Sequence, residues 1–139
     1  MLKPICFTAG DDDVGDCRAS GKVMVTGAQV HTFLNDNFQR ISSACGHGYN
    51  VYERVGDNGH RYFMFHSSSD NAWYIASENE CAVGSGPSTR YARVYSDSLH
   101  PDEIEGDWFE NDENGYVKSD DMEVVCGELN QGCVQQRDC

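Results

Sequence analysis

A chain of 139 residues with 23 acidic and 10 basic side chains carries a formal net charge of −13 at pH 7. That length falls within one domain and can enclose an ordinary core, and with 39% hydrophobic residues no apolar run is long enough to span a bilayer. An acid excess of this size repels phosphate backbones and anionic lipid, so nucleic acid and membrane surfaces are not expected partners.

The opening Met1-Leu2-Lys3-Pro4-Ile5-Cys6 lacks the apolar stretch of a secretory leader, so a secreted reading takes the chain as a mature form. Residues 1–21, with Gly10, Gly15 and Gly21, read as an arm tethered through Cys6 and Cys17. Within the arm, Asp11-Asp12-Asp13 and Asp16 crowd carboxylates that repel one another. No cofactor is expected; calcium is the single candidate, because a divalent ion relieves that repulsion, and a solvated charge run is the common alternative.

Residues 22–126 read as the β module. Val23-Met24-Val25-Thr26 is the first strand signal, and Thr32 to Ser43 comes closest to a helix through Phe33, Leu34, Phe38 and Ile41. Asn35-Asp36-Asn37 breaks that window. Val51–Val55 and Arg61–Phe65 flank Gly56-Asp57-Asn58-Gly59, the strongest hairpin signal in the chain. Trp73–Ala76, Tyr91–Tyr95, the hairpin of Trp108-Phe109 and Tyr116-Val117, and Met122–Val125 follow. Short strands at roughly ten-residue intervals predict an all-β antiparallel sandwich or barrel of seven to eight strands. Alternation places Phe63 with Phe65 on one face of their strand, and Trp73 with Ile75 on one face of theirs, as the expected core. Tyr62 and Met64 then share the other face with His60 and His66.

Residues 127–139 form a polar tail carrying Cys133 and Cys139. The seven cysteines (Cys6, Cys17, Cys45, Cys81, Cys126, Cys133 and Cys139) include no C-x-x-C pair and are spread from end to end. Zinc or thioredoxin-like chemistry is therefore disfavoured, and disulfide staples in an oxidising, extracellular setting are expected. Seven is odd, so one cysteine is unpaired or joined to another chain. The connectivity stays open at this stage.

Glu110-x-Asp112-x-Asn114-Gly115, with Asp121 in twelfth place, superficially tracks a calcium-binding loop. Its first, ninth and twelfth residues and its strand-like flanks depart from that motif, and a plain hairpin turn is expected. His31, His47, His60, His66 and His100 lack ligand spacing and read as exposed. No Gly-x-Ser-x-Gly, His-Glu-x-x-His or phosphate-cradling loop is present, so no enzymatic activity is expected. Tyr49, Tyr52, Tyr62, Tyr91 and Tyr95 recur at strand positions and are the expected ligand-binding residues, rings for stacking and hydroxyls as polar handles. The alternative is that they pack the sheet.

Val23-x-Val25-x-Gly27-Ala28, Asn37-Phe38-x-Arg40, Val51-Tyr52, Tyr62-Phe63, Trp73-x-Ile75, Pro101, Trp108 and Val124-x-Cys126 follow one another along the chain. In this succession the sequence resembles a β-rich repeat module of secreted proteins from algae, oomycetes and marine invertebrates. The resemblance implies an extracellular recognition or assembly role and carries no catalytic site. The expectation is a secreted, non-enzymatic module that recognises a glycan or protein partner through an aromatic strand face and polar loops. The alternatives are a matrix or fibre subunit crosslinked by calcium or by the odd cysteine as a homo-oligomer, and a secreted inhibitor or toxin.

Overall fold

The computed structural model describes residues 20–46, 48–81 and 88–127. The N-terminal arm with Asp11, Asp12, Asp13, Asp16, Cys6 and Cys17 lies outside the described residues, as do Cys133 and Cys139. Among the described residues nine strands follow in chain order: β1 (Lys22–Thr26), β2 (Asn37–Gly46), β3 (Tyr49–Val55), β4 (Arg61–Ser67), β5 (Ala72–Ala76), β6 (Arg90–Tyr95), β7 (Phe109–Asp112), β8 (Gly115–Lys118) and β9 (Glu123–Cys126). Two 3-10 turns, Thr32–Leu34 and Pro101–Glu103, sit in connections. Among the described residues no helix is long and apolar enough to cross a membrane.

All nine strands belong to one antiparallel sheet in the order β9-β1-β2-β3-β4-β5-β6-β7-β8. Eight of them pair as a meander, and the last returns to lie outside the first. The result is all-β, a single sheet curled into a half-barrel rather than two stacked sheets. The expected hairpins form. Val55 pairs with Arg61 around Gly56–His60, where Gly59 takes φ +84° and its N–H bonds to the Gly56 carbonyl at 2.9 Å. Asp112 faces Gly115 across a two-residue loop, and Asp112 Oδ1 accepts the Asn114 N–H at 2.7 Å. The calcium-loop lookalike is therefore this hairpin turn.

Curling divides the apolar residues between two faces. The inner face holds the main core: Val23, Val25, Leu34, Phe38, Tyr52, Tyr62, Met64, Trp73, Ile75, Ala92, Val94, Trp108, Met122 and Val124 among others. The outer face carries a second cluster of Val51, Phe63, Phe65, Ala72, Tyr74 and Ala76, with the Cys45–Cys81 disulfide packed against it. Phe63 and Phe65 do share a face, but the main core belongs to Tyr62 and Met64 together with Trp73 and Ile75. Register explains this, because Met64 pairs with Ile75 and Phe65 with Tyr74. Both faces of β4 and β5 are buried, so a near-continuous apolar run replaces the half-wet alternation. His66 corrects the expectation of exposed histidines, being only 3% exposed.

The window that came closest to a helix is a 3-10 turn followed by β2, the longest strand. Phe38 faces the inner core and Ile41 the outer cluster. Ordinary strand alternation puts residues three apart on opposite faces, so the helix-like spacing of Phe38 and Ile41 comes from a strand that contributes to both clusters.

Candidate recognition surface

The segment after β1 is fixed from both sides. Gly27 takes φ +78°, and a Cβ there would lie 1.9 Å from the Asp121 carbonyl oxygen, so the chain can pass this point only with glycine. Asn35 closes the loop on itself: its Oδ1 accepts the Ala28 N–H at 2.8 Å, and its Nδ2 donates to the Ala28 carbonyl at 3.0 Å. Between these points three successive backbone N–H groups converge on Glu110 of β7. Gln29 donates to Oε2 at 2.8 Å, and Val30 and His31 donate to Oε1 at 3.0 and 2.8 Å. Ser119 adds its hydroxyl to Oε2 at 2.7 Å.

Glu110 is fully buried. Burial alone would raise its carboxyl pKa, but the N–H of His31, the Ser119 hydroxyl and the N–H groups of Gln29 and Val30 outweigh that and hold it below the ordinary value. The successive amides form a nest for the carboxylate. His31 Nε2 donates to the Asn111 carbonyl at 2.6 Å, a second tie between this loop and β7.

So anchored, the loop buries Leu34 completely and turns its neighbours outward: Val30 is 44% exposed and Phe33 41%. Phe33 packs on Tyr62 (ring centroids 5.2 Å apart), Tyr91 (5.4 Å) and His31 (5.5 Å), and Tyr91 lies 5.7 Å from Tyr62. Burial of the Tyr91 hydroxyl raises its pKa, as does the neighbouring Tyr62. Arg54 lies 5.6 Å over the Tyr62 ring and pairs with Asp36 at 3.1 Å, giving the apolar patch a charged rim.

Of the five expected tyrosines, Tyr62 and Tyr91 meet in this patch. Tyr52 is buried in the inner core. Tyr49 sits toward another part of the inner face, stacked on His66 at 3.8 Å. There the carbonyls of residues 96–98 accept three side-chain protons in turn: His66 Nε2–H to Ser96, Tyr49 O–H to Asp97 and Trp73 Nε1–H to Ser98, at 3.0, 2.7 and 2.9 Å. Tyr49 is thus built into a connection that closes the core.

Tyr95 lies on the outer face and is 57% exposed. A bulge separates it from Tyr91, because Ile75 pairs with Ala92 while Ala76 pairs with Arg90, and the displaced Tyr91 turns inward. The outer face also carries Arg90, 4.2 Å over the Tyr74 ring and bonded to Glu80 at 2.6 Å. Burial and a hydrogen bond to Asp70 push the Tyr74 hydroxyl up to about 12, against the opposing field of Arg90. Beside them an open hollow of about 300 Å³ is lined by Phe65, Ser67, Ser68, Ser69, Glu80 and the disulfide.

Val30, Phe33, Arg54 and Glu110 escaped sequence reading. Phe33 lies inside the broken helical window, and nothing in the spacing marks a lone strand glutamate as the partner of a loop some eighty residues earlier. Among the described residues no three His, Cys, Asp or Glu side chains gather as a metal site. No protein-family model, curated protein or solved structure matches the chain.

Proposed function

We propose that the protein is a non-enzymatic extracellular module that recognises a glycan or protein partner, with the Val30–Phe33 loop as its contact. The observation that carries this reading is the rigidity of an exposed apolar loop. Three backbone hydrogen bonds to Glu110, which Ser119 holds in turn, the Asn35 closure and the His31–Asn111 bond fix the backbone that presents Val30 and Phe33. A loop ordered before binding loses little conformational entropy on contact. Aromatic surface ringed by polar groups is the common composition of a recognition hot spot. The disulfide and the resemblance of residues 22–126 to secreted modules support the extracellular setting.

The test is a glycan array probed with the intact protein, followed by 15N–1H NMR titration with the strongest-binding oligosaccharide and sedimentation equilibrium of the protein alone. The expected result is a monomer whose shifts cluster at Val30–Leu34, Tyr62 and Tyr91. Phe33→Ala should weaken binding about 30-fold, the effect of losing about 2 kcal/mol at a hot spot, while leaving the spectrum of the free protein dispersed. Self-association abolished by Phe33→Ala would replace recognition by assembly as the role of this loop.

A further inference from the structure

The outer face carries a cation that the fold leaves unanswered. In this acid-rich chain Arg54 pairs with Asp36, Arg61 with Glu53 and Arg90 with Glu80. Arg93 has no such partner among the described residues. Its guanidinium lies 3.8 Å from the Tyr116 ring centroid and 5.1 Å from that of Tyr95, and its Nε is buried without a hydrogen-bond acceptor. Two ring faces hold the group in place but supply no hydrogen bond, and a buried donor without an acceptor is destabilising. Phe109 and Tyr74 flank it in register on the neighbouring strands, and Lys118 stands opposite Phe109 one strand further on. On the same face the carboxylate of Glu80 is taken by Arg90.

We propose that Arg93, Tyr95 and Tyr116 form a binding site for an acidic saccharide, its carboxylate or sulfate received by Arg93 and its ring laid on exposed Tyr95. A guanidinium can donate two parallel hydrogen bonds to two oxygens of one carboxylate or sulfate, and an exposed tyrosine ring offers a sugar a flat apolar face with a polar edge. An extended peptide, by contrast, draws its affinity from main-chain hydrogen bonds along a sheet edge or in a groove, whereas the groups gathered here are side chains on the face of β6 and of the edge strand β8. The net charge of −13 opposes a dense polyanion, so the occupant is a sparsely charged saccharide. The site lies on the opposite face from the Val30–Phe33 loop and stands independently of it.

The experiment is an NMR titration of the full chain with four probes: a disaccharide bearing one glucuronate, its 6-sulfated counterpart without the carboxylate, the uncharged parent disaccharide, and an acetylated Gly-Glu-Gly peptide. Shifts at Arg93, Tyr95 and Tyr116 are expected with one or both acidic sugars, and which of them responds distinguishes carboxylate from sulfate. The neutral sugar and the peptide should bind at least tenfold more weakly. Arg93→Gln should abolish the response in a protein whose spectrum stays dispersed, Arg93→Lys should retain part of it, and Phe33→Ala should leave it unchanged. Equal binding of the neutral sugar, stronger binding of the peptide, or no response to any probe would overturn the site. If Arg93→Gln fails to fold, Tyr95→Ala, at an exposed position, decides between the same outcomes.

Discussion

Glu110 shows how one side chain can hold a curled sheet together. It stands on β7, near one end of the strand order, yet its oxygens receive the amides that follow β1, near the other end. The carboxylate joins parts of the sheet that strand pairing leaves apart. Glu110→Gln replaces one acceptor oxygen by a donor facing other donors, and should cost about 3 kcal/mol in urea unfolding. The pH dependence follows in sign. Because the folded pKa lies below the unfolded one, near 4.3, the stabilisation is complete above the unfolded value and is lost as pH falls through the folded value. Wild-type stability should therefore fall in that acidic window, and the part of the slope due to this group should vanish in Glu110→Gln. The sequence placed Glu110 only at the head of a calcium-loop lookalike; with all four hydrogen bonds made to protein donors, its oxygens have a structural task instead.

At the scale of elements, strand and turn positions were legible wherever turn chemistry is local. Gly56-Asp57-Asn58-Gly59 and Asn114-Gly115 act within a few residues of themselves, and both hairpins form where expected. Assignments of face were less legible, because alternation tells which residues share a side and not how many sides are buried. β4 and β5 bury both. Bulges complicate it further, turning Tyr91 inward while Arg93 and Tyr95 stay out. Two glycines separate local from tertiary constraint. Gly59 and Gly27 share a positive φ, but a Cβ on Gly59 meets nothing within 4 Å, whereas one on Gly27 strikes the Asp121 backbone. Gly59→Ala should cost only the left-handed penalty of about 1 kcal/mol. Gly27→Ala should cost at least about 3 kcal/mol, since the backbone contact adds to the same penalty. Parallel denaturation curves of the two variants check the difference.

For the molecule as a whole, a modest apolar content is divided between an inner core and an outer cluster, and the Cys45–Cys81 bridge spans the outer one. It ties β2 to the chain just after β5, across 36 residues of sequence. Loop-closure entropy for that separation predicts about 4 kcal/mol of stabilisation. The double variant Cys45→Ala/Cys81→Ala should lose about that much in chemical denaturation while keeping the Phe33 patch, which lies on the other face. The all-β class, most strand positions, the hairpin turns and the expectation of disulfides were legible in the amino-acid order alone, since turn preference and β-propensity are properties of short segments and cysteine count one of composition. Long-range packing settles that one sheet curls instead of two stacking, which face each aromatic ring occupies, that Cys45 joins Cys81, and that Glu110 receives the loop after β1. Those outcomes depend on which distant strands become neighbours. Register and bulges settle that through contacts between residues far apart in the chain, and no local pattern records them.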